Sequence, residues 1–215
     1  MDQAALHRHT YRHAYEEILQ AVVRMGAAVN NLVKMSIDAA LTGDLGQIDA
    51  VISGDDEVDA YELDIFKKTV AIVLRETPVA QDYRVLVATL GVVGEIERAA
   101  DDAVKLARRA KKLRGQFPSE MRVPLVELGE EARRVFSAAL RLYTEYTCDL
   151  ADEIIAADEG IDTRYSAARA RVIEMIRANP ENTEHLIRTI DAFHALEHVA
   201  DHGVEIARRL KMLNR

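Results

Sequence analysis

Apolar side chains recur every three or four residues along most of the chain, the spacing that places them on one face of an α-helix. The first such stripe runs from Ile18 to Leu41, until a Thr-Gly-Asp sequence at 42–44 interrupts it. Similar breaks divide the rest of the chain into helices. The six predicted helices cover about residues 4–42, 44–75, 78–114, 119–147, 149–178 and 180–213. The pattern therefore predicts an all-α fold.

The third and sixth predicted helices repeat one another at an offset of 100 residues. Residues 94–113 read GEIERAADDAVKLARRAKKL and residues 194–213 read HALEHVADHGVEIARRLKML, with nine of the twenty positions identical. Amphipathic helices share apolar positions by chance, but the matching Glu, Asp and Arg-Arg positions indicate an internal duplication. The Gly-Gln-Phe-Pro segment at 115–118 is the best linker. We therefore predict two tandem three-helix bundles, residues 1–115 and 118–215.

The cysteine count, the length of uncharged runs and the net charge indicate where in the cell the protein acts and which partners it lacks. The single cysteine, Cys148, cannot form an internal disulfide, which favours a reduced cytosolic protein. The longest uncharged run, residues 85–94, is half of the roughly 20 residues that a membrane span needs, and the first residues lack the apolar stretch of a signal peptide. With 36 acidic and 28 basic residues, the net charge of −8 disfavours nucleic acid as a partner. We expect a cytoplasmic protein without membrane insertion.

Each repeat carries a carboxylate where the apolar stripe should continue. These residues are Glu97 and Glu197, and each is followed one helical turn later by an aspartate, Asp101 and Asp201. Like charges four residues apart lie on one face and destabilise an isolated helix by about 0.2–0.5 kcal/mol. We therefore expect another group to offset this repulsion.

The preceding helix of each bundle supplies a second acidic pair. The pairs are Asp55 with Asp59 and Asp158 with Asp162. If consecutive helices are antiparallel, each pair lies level with the Glu and Asp of the next helix, and four carboxylates converge in each bundle. Their mutual repulsion would raise their pKa values unless cations neutralised them. Oxygen ligands at this density suit iron, manganese, magnesium or calcium, and zinc less well.

Two other groups of polar residues have a structural interpretation beside a functional one. The acidic residues could form a solvated face that pairs with arginines such as Arg98, Arg108 and Arg164. Histidines also recur every four residues, at 194, 198 and 202 and at 9 and 13, a spacing that can bind metal. The first repeat has Gly, Arg and Asp where the second has its three histidines, so a duplicated site does not need them. We interpret them as surface or interface residues.

The motifs of several enzyme classes are missing from the sequence. It contains no Glu-x-x-His pair of the ferritin-like di-iron oxidases, no His-Glu-x-x-His and no Gly-rich phosphate loop. The carboxylates occur twice in equivalent places rather than as one asymmetric acid and base. These features favour a binding protein over an enzyme. The alternatives are a carboxylate-bridged metal-binding enzyme or metal store, and a purely structural helical tether.

The duplicated Glu-x-x-x-Asp motifs and the acidic pairs upstream of them resemble those of the PhoU family, regulatory proteins of bacterial phosphate uptake. The resemblance extends from about Met25 to Arg208. It implies two three-helix bundles and a cytoplasmic, non-enzymatic regulator with multinuclear metal sites, often iron clusters. Carried over to this chain, the principal ligands are Glu97, Asp101, Glu197 and Asp201, and the two upstream pairs are further candidates.

The same resemblance implies the partners. Proteins of this family are thought to act between the phosphate ABC transporter and a sensor histidine kinase, and to hold starvation signalling off when phosphate is plentiful. Dimerisation is common among amphipathic bundles, so we also expect a homodimer, although no heptad seam is clear enough to place an interface.

Overall fold

The computed structural model describes residues 3–76 and 78–214, with side chains from residue 10 onward. Within this part of the chain all regular structure is helical. The helices are α1 (Gln3–Thr42), α2 (Leu45–Glu76), α3 (Ala80–Leu113), α4 (Ser119–Thr144), α5 (Cys148–Ala178) and α6 (Thr183–Leu213), with a 3₁₀ turn at Pro180–Asn182. Thr77, at the predicted second turn, and the side chain of His9 lie outside the described residues, as do residues 1, 2 and 215 at the predicted bundle ends.

The six helices form two bundles of three. Helices α1, α2 and α3 pack against one another, and so do α4, α5 and α6. Between the bundles α3 packs on α6 and α1 packs on α4, so each contact joins helices at equivalent positions of the two repeats. Buried apolar residues from all six helices form one continuous core. The predicted all-α fold of two duplicated three-helix bundles is confirmed.

Local side-chain chemistry explains where the helices begin and end. The Asp44 carboxylate accepts hydrogen bonds from the backbone N–H groups of Gly46 and Gln47, at 2.8 and 3.1 Å, and so caps α2, as expected of an aspartate just before a helix. The prediction that helix four continues to Thr147 is wrong, because α4 ends at Thr144. The Thr147 hydroxyl instead accepts from Leu150 N and caps α5.

Close backbone contact joins the link between the bundles to the turn between α1 and α2. Gly43 and Gly115 have φ values of 71° and 73°, in the left-handed region that glycine adopts without a steric penalty. A Cβ atom on Gly43 would lie 2.5 Å from the Gly115 Cα atom. Both positions therefore require glycine. None of the described helices is long and apolar enough to span a membrane.

Candidate metal centres

The second bundle brings three of its four predicted carboxylates together. Asp158 and Asp162 lie one turn apart on α5, and Asp201 faces them from α6. One oxygen from each of the three lies within 4.8 Å of the other two. This is the level matching that the antiparallel arrangement predicted. The three carboxylates, hereafter the aspartate triad, line an open depression of about 610 Å³.

The fourth predicted carboxylate, Glu197, borders the aspartate triad without joining it. Burial, together with the neighbouring negative charges of Asp201, Asp162 and Asp158, raises the pKa of Glu197 to about 7. The Oε2 atom of Glu197 is buried and has no hydrogen-bond partner among the described residues. The site therefore has an excess of negative charge, which a bound cation would relieve.

Arginines neutralise only part of this charge. Arg208 donates to Asp158 Oδ2 at 2.6 Å. Of the arginines predicted to pair with the acidic face, Arg164 contacts Glu131 and Arg98 contacts Glu95, and neither of these carboxylates belongs to the predicted sites. The interpretation as a solvated face paired with arginines thus fits Asp158. It does not fit Glu197, which no arginine neutralises among these contacts.

The first bundle holds its four acids in a looser arrangement. Burial raises the pKa of Glu97 and of Asp55, and Asp101 and Asp59 add to the increase in both, while Arg108 partly offsets it at Asp55. These acids therefore lie close enough to one another to interact electrostatically. Among the described residues, however, no three of them bring ligand atoms within 4.8 Å of one another. Glu62 of α2, which sequence reasoning missed, also raises the pKa of Glu97.

A second polar cluster lies where α3 packs on α6. Glu95 and Asp102 are each only 2% exposed. His202 lies between them, with Nδ1 2.9 Å from Glu95 Oε2 and Nε2 3.2 Å from Asp102 Oδ2. Burial by itself would lower the pKa of His202, but hydrogen bonds to Asp102 and Glu95 outweigh that effect and raise it. Only a protonated imidazole donates from both nitrogens, and the raised pKa of His202 favours this cationic form between the two carboxylates.

Further cations complete the charge balance at the bundle junction. Arg98 and Arg209 donate to Glu95 at 2.7 and 2.9 Å, and Lys105 donates to Asp102 at 2.8 Å. The interpretation of the helix-six histidines as surface or interface residues holds for His202, which lies between the bundles. Sequence reasoning did not select Glu95 or Asp102. One feature of the sequence could have indicated them. Asp102 and His202 occupy equivalent positions of the duplication, and residues at equivalent positions meet where α3 packs on α6.

Comparisons with known proteins identify the family to which this duplicated chain belongs. The family model described as the PhoU domain matches residues 22–110 and again residues 125–210. The chain belongs to the PhoU family. The two matches to the PhoU domain correspond to the two copies of the internal duplication.

Individual PhoU proteins resemble this chain over most of its length. A curated relative from Pseudomonas putida, named phosphate-specific transport system accessory protein PhoU homolog, is 28% identical over 194 residues, which cover 89% of this chain and 75% of that protein. A relative of the same name from Clostridium acetobutylicum is 22% identical and covers 89% and 88% of the two chains. The resemblance inferred from the acidic motifs is thus confirmed.

Solved PhoU structures share the fold. The crystal structure of PhoU from Pseudomonas aeruginosa has a TM-score of 0.90 and 26% identity, covering 95% of this chain and 99% of that one. The phosphate transport system regulatory protein PhoU from Streptococcus pneumoniae has a TM-score of 0.87 at 19% identity, covering 95% and 96%, and supports the fold alone.

Proposed function

We propose that this chain is a cytoplasmic negative regulator of phosphate uptake and phosphate-starvation signalling. It acts by protein contact between a phosphate ABC transporter and a sensor histidine kinase. The observation that carries this proposal is the match of both halves of the chain to the PhoU domain. The names of the curated relatives, which are accessory proteins of phosphate-specific transport systems, support it. We further propose that the protein forms a homodimer. Light scattering on the purified chain measures its mass in solution and tests this directly.

The proposed regulator has no catalytic role. Its acidic groups occur in equivalent places of two bundles, and an acid and base with different roles would need different surroundings. The alternative of a metal-binding enzyme or metal store predicts turnover or metal release, whereas the regulator requires only binding.

A genetic experiment tests the regulatory role. In the source organism, deletion of the gene should switch on a phosphate-starvation reporter in phosphate-rich medium, and the wild-type gene should restore repression. Tagged protein should also retain a transporter subunit and the histidine kinase when it is purified from crosslinked cells. A deletion strain that keeps the reporter silent in rich medium would refute the negative regulatory role.

The regulator carries a carboxylate metal site on each bundle. The proposed ligands are Glu97, Asp101, Asp55 and Asp59 in the first bundle and Glu197, Asp201, Asp158 and Asp162 in the second. The second bundle supports a site better, because its aspartate triad is already within ligand distance and borders an open depression. Iron, manganese or magnesium suits these oxygen donors, and zinc suits them less well.

Elemental analysis of protein purified without chelator tests the carboxylate sites. Asp158→Asn with Asp201→Asn should remove metal from the second bundle, and Glu97→Gln with Asp101→Asn should remove it from the first. Glu159→Gln is the matched control, because Glu159 is an exposed acid on α5 next to Asp158. Metal content unchanged by both double substitutions would remove the proposed ligands.

A further inference from the structure

Three residues at the solvent-facing edge of α6 form a second possible set of metal donors, outside the aspartate triad. His194, Glu197 and His198 stand at positions i, i+3 and i+4, so their side chains share one face of the helix. One donor atom from each lies within 4.8 Å of the other two. His194 and His198 remain partly exposed, with about half and two-fifths of their side-chain surface accessible. A metal ion can therefore reach these donors from solvent.

The distances among these donors are too long for hydrogen bonds. Glu197 Oε2 lies 3.7 Å from His194 Nε2 and 3.8 Å from His198 Nε2. It is the same buried oxygen that lacks a hydrogen-bond partner. Two donors that each lie about 2.1 Å from a tetrahedral zinc ion are about 3.4 Å apart. The two Glu197 distances exceed this value by only about 0.3–0.4 Å, and the two histidine donors lie within 4.8 Å of each other. A modest side-chain movement would thus let one ion contact all three donors and satisfy the Glu197 oxygen.

Neighbouring residues orient both imidazoles. The Tyr165 ring of α5 stacks on His194, with centroids 5.6 Å apart and planes inclined by 26°. Asp102, from the other bundle, lies 3.7 Å from His198 Nδ1, while Nε2 of the same ring faces Glu197. A carboxylate beside one nitrogen and a metal at the other is the usual surrounding of a metal-binding histidine.

We propose that His194, Glu197 and His198 bind one divalent transition-metal ion of the zinc type, leaving its remaining position to water. Two imidazole nitrogens and one carboxylate oxygen suit zinc, cobalt or nickel better than magnesium or manganese. This histidine site goes beyond the proposed regulatory function and does not depend on the aspartate triad. Only Glu197 belongs to both proposals, and the two histidines serve this site alone.

The duplication shows that this site belongs to one bundle. The positions equivalent to His194 and His198 are Gly94 and Arg98. Glycine offers no ligand, and the Arg98 guanidinium, which contacts Glu95, cannot bind a cation. The first bundle therefore keeps the acidic motif but lacks the nitrogen donors. Zinc binding at histidines should accordingly occur once per chain.

Titration calorimetry on metal-free, full-length protein tests the histidine site, with zinc chloride as the probe. His194→Ala with His198→Ala should weaken the tightest zinc binding at least tenfold, and so should Glu197→Gln. His13→Ala is the matched control, because it removes an exposed histidine from α1, and should leave the affinity unchanged. Circular dichroism confirms that each variant is folded. Zinc affinity that is unchanged in either the histidine variant or the Glu197 variant would overturn the proposal.

A second set of measurements separates this site from the carboxylate sites. Asp158→Asn with Asp162→Asn should keep the tight zinc binding, and zinc should shift the ring-nitrogen NMR signals of His194 and His198. If the aspartate variant instead loses tight zinc binding and those signals do not move, zinc binds the aspartate triad and the histidine site is wrong. Manganese titrated in parallel reports on the carboxylate sites, so that their failure would show as absent manganese binding with zinc binding intact.

Discussion

Glu197 is unfavourable for folding, and both proposed metal sites use it as a ligand. It occupies a position where the apolar stripe of α6 would place a hydrophobic side chain, and its pKa is raised to about 7. A carboxyl group that holds its proton more tightly in the folded state than in the unfolded state makes stability fall as pH rises from its unfolded pKa to its folded pKa. For Glu197 that range is from 4.5 to about 7.

This reasoning predicts the effect of Glu197→Gln on stability. In the presence of chelator at pH 8, the variant should be more stable than the wild type by about 1–2 kcal/mol, because the neutral amide avoids both the burial of a charge and its repulsion by the neighbouring aspartates. The difference should shrink toward zero at pH 4.5, where the folded wild-type carboxyl group is also neutral. Urea unfolding at the two pH values measures both free energies. Equal stability at pH 8 would mean that the Glu197 carboxylate is well solvated.

Substitution of His202 should destabilise the protein, in contrast to the stabilisation expected for Glu197→Gln. His202→Ala leaves the buried carboxylates of Glu95 and Asp102 without their shared cation, while Arg98, Arg209 and Lys105 remain as partners. We expect a loss of about 1–3 kcal/mol in the free energy of unfolding at pH 7, because buried charges that lose a partner are costly. The exposed His13→Ala substitution is the control and should change stability by less than about 0.5 kcal/mol. An equally small change for His202→Ala would show that the other three cations suffice.

At the scale of helices, periodicity predicted the elements well and their ends less well. The apolar stripe that predicts helix four continues past Thr144. Apolar spacing carries no information about hydrogen bonding, so it does not show that α4 ends there. Helix α4 ends before Thr147, and the Thr147 hydroxyl caps the next helix, α5. Pro180 similarly opens a 3₁₀ turn before α6 begins at Thr183. A cap such as Asp44 can be predicted from residue type, but which of several candidate residues caps a helix depends on backbone geometry that apolar spacing does not give.

The cap of α5 gives an element-scale prediction. Thr147→Ala removes the hydroxyl that accepts from Leu150 N and should destabilise the protein by about 1 kcal/mol. Thr163→Ala is the control, since Thr163 is exposed within α5 and its hydroxyl donates to the Glu159 carbonyl of its own helix. That substitution should be neutral or slightly stabilising, because alanine favours helix more than threonine does. Chemical denaturation of both variants makes the comparison. A Thr147 variant as stable as the control would assign the start of α5 to packing alone.

At the scale of the whole molecule, the duplication could be predicted but the packing of its two copies could not. The offset of 100 residues identified both acidic motifs, and the level matching of antiparallel helices placed Asp158 level with Asp201 and Asp162 level with Glu197. How closely the acids approach depends on the rotation of each helix about its axis, which sequence spacing does not fix. The same is true of the junction, where Asp102 and His202 meet only because α3 packs on α6.

The contact between Gly43 and Gly115 ties the link between the bundles to the turn that joins α1 and α2. A substitution to alanine at Gly43 should cost more than about 2 kcal/mol, because a side chain at φ of 71° is strained and its Cβ would lie 2.5 Å from backbone atoms of Gly115. Gly94→Ala is a matched control. Its Cβ has nothing within 4 Å, and alanine within a helix is favoured over glycine by about 0.5–1 kcal/mol, so the control should gain stability. Thermal and urea unfolding should therefore move in opposite directions for the two variants. If Gly43→Ala were tolerated as well as Gly94→Ala, the link would have room to move, and the α3–α6 and α1–α4 contacts alone would hold the bundles in position.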